Sequence, residues 1–185
     1  MFPFSLFGAM RVSPASSRHD LCSSADATDE MHTSQNMYHV LLGDSSPENV
    51  ELFERALSGC PSFGLAHRVA TISELVSYLA GTGNFIDKRR FPRPDLVLLD
   101  LNLSGRCSAF EVLKWIQTRP RGDYRVVLFA GVADDLECEQ AYALGADGFV
   151  SRPNTVADTI KVLTRIAGWL KSSTIEEDPL EFCIA

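Results

Sequence analysis

Three charged side chains stand where apolar segments of the sequence end. Asp44 and Asp100 close two such segments, and Arg152 follows a third, just before Pro153. Carboxylate oxygens are ligands that Mg²⁺ uses in proteins, and a guanidinium can bind a carboxylate or a phosphate through two parallel hydrogen bonds. Each residue alone could simply cap a turn or face solvent. Brought together by the fold, the three could bind a cation or a phosphoryl group.

The elements that must position these residues alternate regularly between strand and helix patterns from residue 38 onward. Short apolar runs predict strands, and apolar positions at helical spacing predict the helices between them. Ser46-Pro47 and Thr71-Ile-Ser-Glu74 are typical helix starts. Five strand-helix pairs predict an α/β fold with a doubly wound, five-stranded parallel sheet, (βα)5, covered on both faces. The predicted strands are residues 38–42, 65–70, 95–100, 125–130 and 148–151, and the predicted helices are 47–58, 71–80, 109–117, 134–144 and 155–171.

This alternation places the charged residues at one edge of the sheet. In open α/β sheets, ligands bind outside the carboxyl ends of the strands, where loops and helix N-termini converge. Asp44, Asp100 and Arg152 all follow carboxyl ends of predicted strands. We therefore expect two carboxylates and one guanidinium to meet at that edge.

Composition narrows the class of protein. With 185 residues and 45% hydrophobic residues, the chain can form one sizeable core. No apolar run reaches the roughly 18 residues that a membrane-spanning helix needs, so we expect a soluble protein that does not act at a membrane. The net charge is -7, and the one basic cluster, Lys88-Arg89-Arg90 with Arg93, is typical of a solvated loop. A negative net charge with a single basic cluster argues against nucleic acid as a partner.

The cysteines and histidines give no sign of a metal site. Five cysteines and four histidines are scattered without ligand spacing or a C-x-x-C pair. This pattern indicates a reduced, cytoplasmic protein without structural zinc.

The two ends of the chain differ from its middle. Residues 1–37 are rich in serine and lack periodicity, which predicts a disordered N-terminal extension. Residues 172–185 carry four acids and no base and form an acidic C-terminal tail, for which disorder is the simplest expectation. Residues 38–171 are the predicted domain.

Three segments resemble one known family. D-L-V-L-L-D-L-N-L at residues 95–103, F-E-V-L-K-W-I at 110–116 and A-L-G-A-D-G-F-V-S-R-P at 143–153 are similar to the receiver domain of two-component response regulators. The S-S-P-E-N-V-E-L-F-E-R-A-L segment from Ser45 and the long basic loop look most similar to the stand-alone type that partners phytochrome-like sensor kinases. The resemblance implies a flavodoxin-like sheet with strand order 2-1-3-4-5, an order the family exemplifies.

The resemblance also implies a role for each charged residue. Asp100 falls on the phosphoacceptor, which takes a phosphoryl group from a histidine kinase, and Arg152 replaces the usual lysine. Asp44, Asp100 and the backbone carbonyl of Asn102 fall on the ligands of a Mg²⁺ ion. Ser45 replaces the second acid of that metal site, so we expect Mg²⁺ binding to be possible but weak.

Two further positions concern signal relay. Ala130 falls where receivers have a serine or threonine that binds the phosphoryl group, and Phe149 falls on the aromatic switch position. Because Ala130 has no hydroxyl, we expect weak coupling between phosphorylation and Phe149. The pocket is thus atypical for the family.

Two functional hypotheses remain open. The chain is either a non-enzymatic, single-domain receiver in a phosphorelay, with Asp100 as phosphoacceptor, or a degenerate pseudo-receiver that binds partners without phosphorylation. In both, the partner is a sensor histidine kinase or another signalling protein. The resemblance also implies a possible homodimer through the fourth helix, fifth strand and fifth helix.

Overall fold

The computed structural model describes residues 37–104, 108–119, 122–131 and 135–172, together with the backbone of 180–182. The strands are β1 (Tyr38–Gly43), β2 (Phe63–Val69), β3 (Leu96–Asp100), β4 (Arg125–Ala130), β5 (Gly148–Ser151) and β6 (Leu180–Phe182). The helices are α1 (Pro47–Ser58), α2 (Ile72–Ala80), α3 (Ala109–Gln117), α4 (Asp135–Ala143) and α5 (Val156–Ser172), and Gly83–Phe85 form a 3-10 turn.

The strands form one parallel sheet in the order β2-β1-β3-β4-β5-β6. The order 2-1-3-4-5 of the first five strands confirms the predicted doubly wound fold. In the part of the chain that the structure describes, no helix is both long enough and apolar enough to cross a membrane.

Local signals in the sequence explain where the helices begin and end. The Ser46 side chain accepts a hydrogen bond from the Asn49 backbone N–H, and Pro47 is the first residue of α1. Thr71 caps α2 in the same way, and Gly81 ends that helix with φ of 65°, a left-handed conformation that favours glycine. These caps lie where the sequence predicts them.

Two hydrophobic cores cover the two faces of the sheet. The strand β3 is buried along its whole length, and its side chains alternate between the two cores. Helices α2, α3 and α4 pack on the face that contains Val97 and Leu99. Helices α1 and α5 pack on the face that contains Leu96 and Leu98. The sheet is therefore a rigid support for the residues at its edges.

The sheet has one strand more than the sequence predicts. Residues 180–182 of the acidic tail form β6, which pairs in parallel with β5 through Gly148↔Leu180, Phe149↔Glu181 and Val150↔Phe182. Three residues are too few to produce a recognisable alternation, so the sequence gives no signal for this strand. The other residues of the tail, and the predicted N-terminal extension up to residue 36, lie outside the described residues.

Candidate functional site

Asp44 lies just beyond β1 and is almost completely buried, with 2% of its surface exposed. Its Oδ1 accepts hydrogen bonds from the Ser46 backbone N–H at 2.8 Å and the Asn49 side-chain amide at 3.4 Å. Burial raises the pKa of Asp44, and the hydrogen bond from Ser46 opposes this shift only in part. Asp44 is thus held by the start of α1 but carries a desolvation cost.

Asp100 is the last residue of β3, and it is also buried, with 6% of its surface exposed. Its Oδ1 accepts a hydrogen bond of 3.0 Å from the Asn102 backbone N–H, and its carbonyl accepts one of 3.1 Å from Leu103. The backbone of Leu101 donates to Phe129 in β4. These bonds fix the turn after β3 and hold the Asp100 carboxylate at the carboxyl edge of the sheet.

Arg152 connects the two carboxylates. Its Nη2 lies 2.5 Å from Asp100 Oδ1 and 3.7 Å from Asp44 Oδ2. Its backbone N–H donates to the Ala130 carbonyl at 2.6 Å, which ties the residue to the end of β4. The fold therefore brings together the three charged residues that the sequence singles out, with Arg152 as a counter-ion to Asp100.

The contact between Arg152 and Asp100 is electrostatic and not a well-aligned hydrogen bond. Among the described residues, the buried Nε and Nη2 atoms of Arg152 have no hydrogen-bond partner of acceptable geometry. A buried guanidinium with unused N–H groups can donate hydrogen bonds to further oxygen atoms. The cluster combines two carboxylates with one guanidinium, so it keeps a formal charge of -1 at neutral pH.

The two remaining residues of the predicted metal site lie beside this cluster. Ser45 is half-buried and follows Asp44 directly, and Asn102 is exposed. The carboxylates of Asp44 and Asp100 and the backbone carbonyl of Asn102 are hard oxygen ligands, the type that Mg²⁺ prefers. Arg152, however, places its own positive charge between these carboxylates. No cluster of three or more His, Cys, Asp or Glu side chains suited to a metal ion occurs in the described ranges.

The two predicted relay residues, Ala130 and Phe149, lie in the core on the α2, α3 and α4 face. Ala130 is 1% exposed and Phe149 is 0% exposed. In the pairing of β4 with β5, Phe149 lies opposite Leu128 and Ala130 lies opposite Ser151. Phe149 therefore occupies a fully buried position next to the strand end that carries Ala130.

Replacing Asp44 by asparagine should stabilise the fold at neutral pH. The pKa of Asp44 is raised above 3.8 in the folded chain, so the folded chain binds this proton more tightly than the unfolded chain does. The Asp44 carboxylate therefore lowers the free energy of unfolding as the pH rises above 3.8. The asparagine side chain keeps an acceptor for Ser46 without the buried charge. We expect the free energy of unfolding in urea at pH 7 to rise by about 1 kcal/mol, and the gain to shrink toward pH 4.

A matched control is available on the surface. The Asp158 carboxylate has a lowered pKa, chiefly because Lys161 donates a hydrogen bond to it. Asp158→Asn should therefore not stabilise the chain at pH 7. Equal or lower stability of Asp44→Asn at pH 7 would contradict the assigned cost of burying this charge.

One contributor to the site is missing from the sequence prediction. The Asn49 amide reaches back to Asp44 from the first turn of α1. A usable signal exists in S-P-E-N, because a polar residue three positions after a helix cap lies beside the cap. Trp169 of α5 packs partly buried against the core on the α1 and α5 face.

Comparisons with known proteins agree with this architecture. A family model described as the response regulator receiver domain matches residues 40–164. No curated protein matches the chain in sequence. Receivers of this family are in general signalling modules and not enzymes.

Several solved structures share the fold. The phosphorylated cyanobacterial phytochrome response regulator RcpA is 22% identical, with a TM-score of 0.64 over 76% of this chain and 99% of its own. RPA3017, a response regulator in red light signalling of R. palustris, is 21% identical with a TM-score of 0.64, over 77% of this chain and 100% of its own. The Mn²⁺-bound response regulator Rcp1 is 23% identical, with a TM-score of 0.61 over 76% of this chain and 99% of its own. Because the family model spans more than half of the sequence, this chain belongs to the response regulator receiver family of two-component signalling.

Proposed function

We propose that Asp100 accepts a phosphoryl group from a sensor histidine kinase and that Arg152 supplies the neighbouring positive charge. The observation that carries the proposal is the pairing of Arg152 Nη2 with Asp100 Oδ1 at 2.5 Å, on a carboxylate that ends the central strand β3. Phosphoryl transfer depends mainly on positioning and on positive charge around the transferred group. This edge of the sheet offers both.

The transfer itself requires no further reactant. A carboxylate oxygen of Asp100 forms a bond to the phosphorus of the kinase phosphohistidine while the phosphorus–nitrogen bond breaks. The imidazole leaves with the electron pair, and the product is an acyl phosphate on Asp100. The unused donors of Arg152 can then bind oxygens of the phosphoryl group. We therefore assign Arg152 to charge stabilisation, and we infer that the chain has no enzymatic activity of its own.

A divalent ion would assist this transfer. Mg²⁺ supplies positive charge to the phosphoryl oxygens when bound, and its ligands here would be Asp44, Asp100 and the Asn102 carbonyl. Ser45 contributes a neutral hydroxyl where the family has a carboxylate, and Arg152 competes for both acids. We expect weak Mg²⁺ binding for these two reasons.

Relay of the phosphorylation signal through Phe149 is expected to be weak. Ala130 cannot hydrogen-bond a phosphoryl oxygen, and Phe149 already lies fully buried in the core. Ala130 and Phe149 also favour the alternative function, a pseudo-receiver that binds partners without phosphorylation. The labelling experiment below distinguishes the two functions.

The partner in this proposal is a sensor histidine kinase. Response regulator receivers act through histidine kinases and other signalling proteins, and structural neighbours of this chain include a phytochrome response regulator and a response regulator in red light signalling. A light-sensing kinase is therefore the partner class we favour. The homodimer through α4, β5 and α5 remains a prediction, and Leu136, 72% exposed on α4, lies on the surface it would use.

The test is to incubate the purified chain with acetyl phosphate and Mg²⁺ and to weigh it intact. We expect an added mass of one phosphoryl group, formed more slowly than on an ordinary receiver, and none on Asp100→Asn. Asp95→Asn is the matched control, because Asp95 precedes the opposite end of the same strand and this change should leave labelling intact.

Two outcomes would count against the proposal. Labelling that persists in Asp100→Asn would mean that another residue is the acceptor. No labelling of the natural chain, under conditions that label an ordinary receiver, would favour the pseudo-receiver.

A further inference from the structure

A cavity of about 460 Å³ opens at the opposite end of the sheet from Asp100. It lies between the end of α2, the loop before β3, the end of α3 and the segment that leads into β4. Asp95 lines it, and Asp100 lies five positions further along the chain at the other end of β3, about 17 Å away in an extended strand. Its volume is within the range of small-molecule sites. The cavity is therefore distinct from the phosphorylation site.

Positive charge surrounds this cavity. Lys88, Arg93 and Arg119 line it, and none of the three forms an ion pair with a carboxylate among the described residues. The Nζ of Lys88 packs so closely on Gly81 that a Cβ there would collide with it. In a chain of net charge -7, these three positive charges provide partners for a negatively charged group of a ligand.

Aromatic rings form the apolar part of the lining. The guanidinium of Arg119 lies over the Trp115 ring, 4.3 Å from its centroid. The rings of Tyr78 and Phe91 meet edge to face at 6.1 Å, and the Tyr78 hydroxyl donates to the Pro92 carbonyl at 2.8 Å. These contacts hold the rings in place. A planar ligand could stack on such a surface, as bases do on aromatic and arginine planes.

Two carboxylates complete the lining. Asp95 and Asp123 also border the cavity. Asp95 Oδ2 is fixed by a hydrogen bond of 2.6 Å from the His39 backbone N–H. Carboxylates accept hydrogen bonds from N–H and O–H groups. The two carboxylates therefore favour an anionic ligand that also carries such donors over a simple anion.

We propose that this cavity binds a nucleoside phosphate. The phosphate matches Lys88, Arg93 and Arg119, and the base matches the aromatic surface. The amino and hydroxyl groups of the base and ribose match Asp95 and Asp123. Binding at this site requires neither Asp100 nor its phosphorylation, so the inference is independent of the proposed function.

Calorimetric titration of the full-length chain tests the proposal. The probes are ATP and GTP, with adenosine, guanosine and inorganic phosphate as the separate parts. We expect at least one nucleotide to bind, and its nucleoside and inorganic phosphate each to bind at least about tenfold more weakly. Asp100→Asn should bind the nucleotide as the natural chain does.

Variants locate the site. Arg93→Gln and Arg119→Gln should each weaken nucleotide binding by about fivefold or more. Arg55→Gln, an exposed change on α1, should not alter it. The chain has two tryptophans, so in Trp169→Phe the remaining Trp115 reports binding by its fluorescence.

The following results would overturn the proposal. The first is that neither ATP nor GTP binds at millimolar concentration. The others are equal binding of the nucleoside or of inorganic phosphate, and binding that Arg93→Gln and Arg119→Gln leave unchanged.

Discussion

Ser45→Asp should bind Mg²⁺ at least about tenfold more tightly than the natural chain. The new carboxylate would stand beside Asp44 and Asp100 and give the site a third acid. A unit charge about 4 Å from a cation contributes about 4 kcal/mol at an effective dielectric constant of about 20. Even after desolvation, this exceeds the roughly 1.4 kcal/mol that a tenfold change requires. The measurement is the unfolding temperature as MgCl₂ is added, because an ion that binds only the folded state raises it.

Ser45→Asn is the matched control for this change. It has nearly the same size as aspartate but no charge, so its Mg²⁺ affinity should remain that of the natural chain. Ser45→Asp should also unfold at a lower temperature without Mg²⁺, because three acids then share one guanidinium. Equal Mg²⁺ affinities of the two variants would show that Ser45 does not limit the metal site. The double variant Ser45→Asp with Ala130→Thr should be phosphorylated on Asp100 faster than Ser45→Asp alone, because it also restores the hydroxyl that Ala130 lacks.

Phe53→Ala should destabilise the fold by about 3–5 kcal/mol. Phe53 is 1% exposed, and its ring meets Phe129 of β4 edge to face at 5.1 Å between centroids. It therefore joins α1 to the centre of the sheet. Small domains have about 5–15 kcal/mol of stability in total, so a loss of this size is severe. The measurement is equilibrium unfolding in urea.

Ile86→Ala provides the comparison, because Ile86 is 73% exposed and its loss should change stability by less than about 0.5 kcal/mol. If Phe53→Ala does not fold, Phe53→Leu should still fold with a smaller loss. A loss below about 1 kcal/mol in Phe53→Ala would mean that the core under α1 closes over the cavity.

The fold could be predicted from the sequence because its signals are local and repeated. Apolar runs such as Leu96–Asp100 and caps such as Ser46 and Thr71 each specify one element. Alternation of strands and helices then leaves few topologies. The ends of the elements agree within about two residues, the usual spread at helix ends.

The candidate site was predictable only in part. Strand ends indicate that Asp44, Asp100 and Arg152 share an edge, but not that Arg152 approaches both carboxylates. The cavity near Trp115 has no signal in the sequence, because its residues come from four segments without a common period. From the sequence alone, the basic cluster Lys88-Arg89-Arg90 with Arg93 is predicted to be a solvated loop. Only the folded chain places its cations beside aromatic rings.

The sixth strand has a consequence for assembly. β6 occupies the edge of β5, and it is tethered to the same chain, so its effective concentration at that edge is high. A strand from a second molecule would have to displace it before pairing with β5. Two sheets could therefore merge on this side only through the outer edge of β6, and a dimer through α4 and α5 would form by their side chains instead.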